Sequence, residues 1–263
     1  MLAEERYQKI EALIQEKGIV KASELTELFG VSLETVRRDL FFLETKGTLR
    51  RVHGGAARPQ RRSEFRPFGE RREEQSREKR AIAAVAVSMI REDDIIALDC
   101  GTTSLEMAPI LKERFRHLTI LTHSIAIFNV LSDAPGFQIL LPGGVYQREE
   151  YALCGPLAEE CIHRFHVGKA FLCPAALSLE NGFSDYRIEL ASLQNAYIKI
   201  ADQSIFLADS SKFETSALIR SHPMEGGHII ITDSTLSDEL YDRYTQNAIH
   251  VIRGEKDEKT VID

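Results

Sequence analysis

A segment with the pattern of a DNA recognition helix constrains this chain more than any other feature of its sequence. Ser32 follows the turn residues Gly30 and Val31, and it suits the capping position at the start of a helix. Three apolar residues then recur at spacings of four and three: Val36, Leu40 and Leu43. This spacing predicts an amphipathic helix whose apolar face points inward.

The outward face of this helix carries polar and basic side chains. Thr35 and Arg38 share an exposed face, and Arg37 flanks it. Short hydroxyl side chains and arginines suit the major groove of DNA, because arginine donates two hydrogen bonds to guanine or neutralises phosphates. Together with Ser32, these residues are the first candidates for contacts with DNA.

The flanking residues complete a helix-turn-helix with a wing. A first helix is expected over 4–17, and a short second helix over 24–29 after a capping Ser23. Residues 48–53 alternate like one strand of a two-stranded wing. The wing adds three candidates for DNA contacts: Arg50, Arg51 and His53. Periodicity alone does not separate this reading from a small helical bundle with a solvated, charged face.

Charge is distributed unevenly along the chain. Residues 1–62 contain 12 basic and 9 acidic residues, which gives a net charge of +3. The remaining residues have a net charge of −10, so the whole chain has a net charge of −7. Residues 32–62 contain 8 basic and 3 acidic residues. A basic end on an acidic body indicates a DNA-facing module carried by a domain with another task.

The composition excludes several other classes of protein. The 263 residues are 43% hydrophobic and 28% charged, as in ordinary globular proteins of one or two domains. No apolar run reaches the length of a membrane span, and residues 1–9 lack the apolar core of a signal peptide. We therefore expect a cytoplasmic protein without a membrane partner. The four cysteines form no Cys-x-x-Cys pair, so free thiols are expected, with no metal and no cofactor.

The sequence divides into three parts. A winged helix-turn-helix domain is expected over 1–57 and an α/β domain over 78–263. Between them, 58–77 is rich in Arg, Glu and Gln, is interrupted by proline and glycine, and is expected to form an exposed linker. Its arginines either attract DNA without sequence preference or serve solubility alone, and the sequence leaves both open.

The second domain alternates strand and helix patterns. Short, wholly apolar runs such as 95–98 and 229–231 are typical of strands buried in a parallel sheet. Helical segments such as 79–90 and 188–202 separate them. This alternation predicts a mostly parallel sheet with helices on both faces.

Polar loops follow several of these strands, at the edge of the sheet where such folds bind ligands. Glycines there permit tight turns, while backbone amides, hydroxyls and a lysine suit a phosphate. The candidate ligand-binding residues are Asp99, Gly101, Thr102, Thr103, His123, Ser124, Gly143, Gly144 and Lys212. The same residue types also serve as plain structural caps at strand ends, but four such loops with a lysine favour an anion pocket.

Both halves of the chain resemble the DeoR family of bacterial transcriptional regulators. In the first domain the resemblance rests on Arg6, Ile10, Ile14, Ser32, Thr35, Val36, Arg37, Arg38, Asp39 and Leu40, then on a wing with Gly47, Leu49, Arg51 and 53–56. In the second it runs from Lys79 through Asp99-x-Gly-Thr-Thr, Thr122-x-Ser, Gly143-Gly, Gly155-Pro and 208–213. It covers nearly the whole chain.

This resemblance implies a helix-turn-helix regulator whose second domain, similar in fold to phosphosugar isomerases, senses a phosphorylated sugar or related metabolite. Double-stranded operator DNA is then the expected partner. From its position at the start of a helix just after the linker, Lys79 is added to the candidate ligand-binding residues and is expected to report occupancy to the DNA-binding half. Cys173 and Ala176 stand where the family commonly has glycine, and His123 where it commonly has asparagine. These departures bear on the ligand and leave the DNA-binding segment unchanged.

Three functions compete on this evidence. The first is a transcriptional regulator, a repressor of a sugar-utilisation operon that a phosphosugar releases. The second is an isomerase-like enzyme using Asp99, Glu189, Asp209 and Lys212 for proton transfer, and the third is an architectural DNA-binding protein. An enzyme has no need of a basic DNA-binding module, and an architectural protein has no need of an acidic, pocket-bearing domain. We therefore expect a non-enzymatic regulator, a homodimer or homotetramer because one module offers few base contacts.

Overall fold

In the computed structural model, which describes residues 3–17, 19–52, 54–57 and 66–254, the chain divides into two units. They comprise residues 1–62 and 63–263. None of the helices in the described part of the chain is long and apolar enough to cross a membrane.

The first unit consists of three helices and a small antiparallel sheet. Its elements are α1 (Ala3–Lys17), β1 (Ile19–Lys21), α2 (Ala22–Phe29), α3 (Leu33–Thr45), β2 (Arg50–Val52) and β3 (Gly55–Ala57). The strand order is β1-β3-β2, so the wing has a third strand that the sequence analysis missed, because a three-residue strand shows no periodicity. Helix α2 begins directly after Lys21, and the predicted cap at Ser23 is wrong.

The core of the first unit lies where the periodicity predicted it. The apolar face of α3 is buried, with Val36, Leu40 and Leu43 at 0%, 2% and 1% exposure. Ile10 and Ile14 of α1 complete this core. The amphipathic interpretation of the recognition helix is therefore confirmed for its buried side.

The second unit has seven helices and twelve strands among its described residues. The helices are α4 (Phe68–Glu73), α5 (Ser76–Ser88), α6 (Thr102–Arg114), α7 (Ile125–Leu131), α8 (Pro156–Ile162), α9 (Ile188–Ile200) and α10 (Asp238–Gln246). The strands are β4 (Ile95–Leu98), β5 (Leu118–Thr122), β6 (Phe137–Leu140), β7 (Val145–Gln147), β8 (Ala152–Cys154), β9 (Val167–Leu172), β10 (Ala176–Ser178), β11 (Gly182–Asp185), β12 (Ala201–Leu207), β13 (Ile219–His222), β14 (Ile229–Thr232) and β15 (His250–Arg253).

Seven of these strands form one parallel sheet in the order β15-β14-β12-β9-β4-β5-β6. From β4, beside the central β9, the chain continues outward to β5 and β6, then returns to β9 on the other side and continues to β12, β14 and β15. The loops after β4 and β9 therefore leave the sheet in opposite directions, and in α/β sheets such a switch point is where ligand crevices form. We call this place the switch-point crevice, defined by residues 99–101 and 173–175.

Helices cover both faces of this sheet, as the alternating pattern predicted. Ala97 of β4 packs into a core with α8, α9 and α10. Its neighbours Ile96 and Leu98 pack into a second core with α5, α6 and α7. Two smaller sheets, the β7–β8 hairpin and the antiparallel β10-β11-β13, were not predicted, because their three- and four-residue strands are too short to show a period.

Residues 66–77, predicted as part of an exposed linker, are mostly exposed but are anchored to the second unit by Phe68. Phe68, the first residue of α4, is 3% exposed and packs in the core with α5 and α6. Its backbone N–H donates to the carbonyl of Glu149 at 2.9 Å, and its ring lies 5.7 Å from that of Tyr151. One phenylalanine in a charged run carries no periodic signal, so the sequence did not reveal this anchor. Residues 58–65 lie outside the described part of the chain.

Candidate functional site

A buried ion pair fixes the recognition helix. Arg6 of α1 donates from Nε to Asp39 Oδ2 at 2.6 Å and from Nη2 to Oδ1 at 3.0 Å. The two residues are 8% and 3% exposed. Because a bidentate arginine–carboxylate pair has a defined geometry, it sets the rotation of α3 about its own axis. This rotation directs the opposite face of α3 to solvent.

The predicted cap of α3 is confirmed. Ser32 Oγ accepts the backbone N–H of Thr35 at 3.2 Å, and the two hydroxyls lie 2.9 Å apart. Both side chains are thus engaged with each other at the start of the helix. Arg37 and Arg38 are exposed, and Arg37 lies 4.0 Å from Glu34. The exposed face of the helix therefore offers two guanidinium groups to an external partner.

The wing arginines differ in their surroundings. Arg51 donates from Nε to Glu44 Oε2 at 2.6 Å and from its backbone N–H to Oε1 at 2.8 Å. Its guanidinium also lies 5.2 Å from the ring centre of Phe41. Arg51 thus joins the wing to α3, whereas Arg50 is exposed. His53, predicted to contact DNA, lies outside the described residues.

In the second unit, Asp99 joins the two loops of the switch-point crevice. Its Oδ1 accepts the backbone N–H of Cys100 at 2.8 Å. Its Oδ2 accepts the N–H of Cys173 at 2.9 Å and Nε2 of Gln194 at 3.2 Å. Asp99 is 2% exposed, so a carboxylate with donors on both sides forms the floor of the crevice.

His123 lies directly beneath this carboxylate. Its ring is fully buried, and Nδ1 is hydrogen-bonded to Tyr197 Oη at 2.9 Å. Nε2 is 3.7 Å from Asp99 Oδ1 and has no hydrogen-bond partner within residues 66–254. Burial lowers the pKa of His123, and the charge of Asp99 opposes this. The ring is therefore neutral near pH 7 and supports the floor of the crevice from below.

A second carboxylate, which the sequence analysis missed, approaches Asp99. Gln194 Nε2 lies 3.3 Å from Asp185 Oδ2 and so links the two acids. Burial raises the pKa of Asp185 to about 7, the charge of Asp99 adds to the rise, and the charge of Arg71 opposes it. Asp185 ends β11, a strand outside the main sheet, so no pattern along the chain connects it with Asp99.

The loop after β4 turns into α6 against the side chain of Cys173. A Cβ at Gly101 would overlap the Cβ and Sγ of Cys173, so a residue without a side chain is required there. Gly101 gives α6 no side-chain cap, and Thr102 and Thr103 follow at 6% exposure each. The first amides of this 13-residue helix therefore lie beside the crevice without a capping oxygen.

Cys173 itself is an uncharged lining group. Its Sγ lies 3.1 Å from Ser104 Oγ. Burial raises the pKa of Cys173 to about 12, and the charge of Asp99 adds to the rise. The thiol occupies space that a glycine would leave free, so this departure from the family pattern narrows the crevice.

Ser124 and Gly144 shape the loops that follow β5 and β6. Ser124 is fully buried and caps α7, accepting the N–H of Ile127 at 3.2 Å. Gly144 adopts φ +147, and a Cβ there would lie 2.8 Å from the carbonyl oxygen of Cys154. Gly143 precedes it in the loop after β6.

The two predicted lysines act on the same region. Lys79 is 5% exposed, and its Nζ donates to the carbonyls of Arg71 and of Glu74, the latter at 2.5 Å. Burial lowers the pKa of Lys79; Asp209 opposes this effect, while Lys212 and Arg71 add to it. The charges of Lys212 and Arg71 therefore both act on Lys79.

Lys212 stands on a 3₁₀ turn, Ser210–Lys212, that follows β12. Asp209 accepts the N–H of Ser211 at 3.1 Å, and Asp233 accepts that of Ser210 at 2.7 Å. Asp209 is thus occupied in holding the turn, and Lys212 is the charged group that this turn presents. The lysine side chain is half-buried.

Arg71 of α4 and Glu150 form an ion pair that the sequence did not reveal. Arg71 Nη2 pairs with Glu150 Oε2, and its Nε donates to the carbonyl of Arg66 at 2.9 Å. Glu150 is 1% exposed, and burial raises its pKa while Arg71 opposes the rise. Both residues lie in charged runs of the sequence, where nothing marks one residue above its neighbours.

Another cluster of potential metal ligands lies away from the crevice, at His222, Glu225 and His228. Nδ1 of His228 accepts the backbone N–H of Glu225 at 3.0 Å, which puts the ring proton of the neutral imidazole on Nε2. In this tautomer neither nitrogen of His228 has a free lone pair for a metal. The cluster is therefore explained by packing and hydrogen bonding.

Comparison with known proteins decides the family. A DeoR-like helix-turn-helix domain matches residues 6–62, and the DeoR C-terminal sensor domain matches residues 74–234. The chain belongs to the DeoR family of transcriptional regulators. Both matched regions carry the residues described above: α3 and the wing in the first, and the switch-point crevice in the second.

Similar DeoR-family proteins match this regulator over nearly its whole length. The HTH-type transcriptional regulator YulB of Bacillus subtilis is 36% identical over 90% of this chain and 91% of its own. The transcriptional repressor AccR of Agrobacterium fabrum is also 36% identical, over 88% and 90%. The L-fucose operon activator of Haemophilus influenzae is 28% identical over 91% and 95%.

Proposed function

We propose that this DeoR-family regulator is a sequence-specific repressor of a sugar-utilisation operon and that a phosphorylated sugar releases it from DNA. The observation that carries the proposal is the switch-point crevice, where two buried carboxylates lie beside uncapped helix amides and the charge of Arg71 acts on one of them. A phosphosugar needs both kinds of partner, since its phosphate is an anion and its hydroxyls are hydrogen-bond donors.

The phosphate end of the ligand is assigned to the start of α6 and to the lysines. Helix amides point at an anion there, and Thr102 and Thr103 add hydroxyls. Lys212 supplies a positive charge for direct contact. Lys79, whose Nζ already donates to two carbonyls, acts through its charge and holds the start of α5 in place.

The sugar end is assigned to Asp99, Asp185 and Gln194. Carboxylate oxygens accept hydrogen bonds from sugar hydroxyls. The side-chain amide of Gln194 donates to both acids and so fixes their positions relative to each other. His123, Ser124, Gly143 and Gly144, predicted from the sequence to bind the ligand, are assigned here to supporting the loops of the site.

On DNA, Arg38 and Arg37 of α3 are assigned to base edges and phosphates, with Ser32 and Thr35 positioning the start of the helix. Arg50 and Arg51 of the wing are assigned to the phosphate backbone. One such unit covers few base pairs, so the regulator acts as a homodimer or homotetramer on a repeated operator in the cytoplasm.

Linkage limits the size of the regulatory effect. DNA and effector weaken each other only when they favour different arrangements of the protein, and the coupling is at most the effector's difference in affinity for these arrangements. AccR bears the name of a repressor and the Haemophilus relative that of an activator, so family membership leaves the sign to experiment. Repression is the sign that we propose.

An isomerase-like enzyme is the second candidate. The pKa of about 7 for Asp185, raised by burial and by the neighbouring Asp99, would suit a proton acceptor at neutral pH. The DNA-binding unit argues against this function, because an enzyme has no use for it.

One experiment addresses both candidates. Operator fragments are selected from genomic DNA with the purified full chain, and DNA affinity is then measured by fluorescence anisotropy against a panel of sugar phosphates and their parent sugars. We expect one sugar phosphate to weaken operator binding at least about tenfold, its parent sugar to have no effect, and the sugar phosphate to be recovered unchanged. Binding without sequence preference, no response to the panel, or turnover would each contradict the proposal.

A further inference from the structure

Helix α4 connects the chain that leaves the DNA-binding unit with the ligand site. It is the first described element of the second unit, and Phe68 anchors its start in the core. The N–H of Phe68 is bonded to the carbonyl of Glu149 in the β7–β8 hairpin. A change in the position of α4 is therefore a change in the direction from which the chain enters this unit.

Arg71 extends from α4 to the acidic side of the site. Its guanidinium is 25% exposed and pairs with Glu150, which follows Glu149 in the hairpin. Its charge also reaches further, since it opposes the rise that burial and Asp99 cause in the pKa of Asp185. Arg71 thus joins α4 to the hairpin, and its charge acts on Asp185.

Glu150 is a poorly satisfied partner. It is 1% exposed, and its Oε1 has no hydrogen-bond partner within residues 66–254. A buried carboxylate loses the solvation of water, and a single arginine offsets only part of this loss. A phosphate dianion that remains partly hydrated and accepts two parallel N–H bonds is a better partner for a guanidinium.

Movement of Arg71 is transmitted to the rest of α4. Lys79 donates to the carbonyl of Arg71 itself and to that of Glu74, just after the helix. Lys79 also lies close enough to Arg71 and Lys212 for their charges to lower its pKa, together with burial, the larger cause. An anion bound here relieves repulsion among the three cations, so it binds more strongly to the arrangement that brings them together.

We propose that Arg71 is a phosphate-binding residue of the effector site and the residue that signals its occupancy. It pairs with Glu150 in the free protein and with the ligand's phosphate in the complex. This exchange draws α4 away from the β7–β8 hairpin and shifts the segment that leads to the DNA-binding unit. The inference rests on the proposed function, since it requires a phosphorylated effector.

If the exchange occurs, replacing Arg71 and replacing Glu150 should change the affinity for phosphate in opposite directions. Binding of inorganic phosphate to the full chain is measured by isothermal titration calorimetry at constant ionic strength, maintained with sodium chloride. Arg71→Ala should weaken phosphate binding about tenfold or more, because a charged hydrogen-bond donor is lost. Glu150→Gln should tighten it several-fold, because the competing carboxylate is gone and the isosteric amide keeps the packing.

Arg72→Ala is the matched control, since Arg72 is exposed on the same helix and carries the same charge. It should bind phosphate like the wild type. If the Arg71–Glu150 pair only stabilised the fold, Arg71→Ala and Glu150→Gln would weaken binding together, and this result would overturn the inference. Should Arg71→Ala fail to fold, the sign of the change in Glu150→Gln still decides.

The operator readout separates this inference from the proposed function. In the anisotropy assay, Glu150→Gln should release the operator at lower concentrations of the active sugar phosphate than the wild type requires. A wild type that binds neither phosphate nor any sugar phosphate would remove the proposed function and this inference with it. A responsive wild type with an equally responsive Arg71→Ala variant would remove the inference alone.

Discussion

Arg6 and Asp39 lie 33 residues apart in the chain and form a buried, bidentate ion pair between α1 and α3. Both belong to the sequence pattern by which the chain resembles the DeoR family, Arg6 near its start in α1 and Asp39 within the recognition helix α3. Their pairing explains why a pattern for DNA binding includes two residues that are not exposed. They hold the helix at a fixed rotation, and Arg37 and Arg38 are exposed as a result.

Removing the acid should destabilise the first unit more than the second. Asp39→Ala leaves Arg6 buried without its carboxylate, which is expected to cost about 3–5 kcal/mol. Hydrogen exchange monitored by mass spectrometry reports the opening of each unit separately, and protection should fall in 3–57 but not in 95–253. Arg37→Ala, an exposed change on the same helix, should leave both unchanged. Undiminished protection in Asp39→Ala would show that packing alone holds α3.

The two classes of DNA-contacting arginine should differ in specificity. Arg38→Ala should weaken operator binding by about 1–3 kcal/mol and change affinity for random DNA less, because a base contact is lost. Arg50→Ala should weaken both about equally and reduce the salt slope by about 1. Anisotropy titrations at several salt concentrations measure both effects. Equal losses on both DNAs for Arg38→Ala would exclude it from base readout.

Arg51 has a structural partner, so its replacement should have a compound effect. Arg51→Ala removes the bond to Glu44 that holds β2 against α3 as well as any phosphate contact. Glu44→Gln, which keeps Arg51 and frees its charge, should retain affinity for random DNA while Arg51→Ala loses it. The same titrations compare the two variants. An equal loss of DNA affinity in both would mean that Arg51 acts only by holding β2 against α3.

Lys212 should be required for the effector response and not for DNA binding. Lys212→Ala should bind the operator normally and respond only to at least about tenfold higher sugar phosphate, because a charged hydrogen bond is lost. Lys199→Ala, an exposed lysine on α9, is the control and should respond like the wild type. Thermal melts on the same samples detect a purely structural role, which would lower stability and leave the response intact.

Asp185 should make stability depend on pH. Its folded pKa of about 7 lies above the unfolded value of about 3.9, so the folded state holds a proton that the unfolded state has lost. Wild-type stability should therefore fall as pH rises between about 4 and 7, by up to about 1.4 kcal/mol per unit, and then level off. Asp185→Asn lacks this titration. In urea unfolding at several pH values, the free energy of unfolding of the variant should therefore increase relative to that of the wild type as pH rises. Parallel profiles would place the folded pKa near its ordinary value.

Gly101 and Cys173 should show coupled effects. Gly101→Ala overlaps the Cys173 side chain and should lower the melting temperature and effector affinity. In the double variant with Cys173→Gly, the nearest remaining atom is the backbone Cα at 3.6 Å, so much of the loss should be recovered. Cys173→Gly alone tests whether the thiol narrows the site. Additive losses in the double variant would mean that the overlap relaxes elsewhere.

Local patterns were sufficient to predict the recognition helix, the strands of the main sheet and the loops that follow these strands. The cap at Ser32, the apolar face of α3 and the run 95–98 all depend on neighbours within about four residues, and the structure has each of them. The rule that ligands bind at the carboxyl ends of parallel strands then predicted Asp99 and Gly101 for the site. The sequence itself therefore determined the two-part organisation, the class of the second fold and the loops around the crevice.

Tertiary structure decided which of these residues meet. Gln194 reaches Asp99 across 95 positions, and Arg71 reaches Glu150 across 79. Such contacts depend on the order of strands in the sheet and on short elements such as α4 and the β7–β8 hairpin, and no periodicity along the chain encodes either. The same holds for charge: Asp185 and Glu150 are ordinary acids in the sequence, and the fold raises the pKa of each through burial and, to a smaller extent, through the charge of Asp99. The local pattern predicted an anion site with Lys212, whereas the fold brought in the second carboxylate, the arginine and its competing acid.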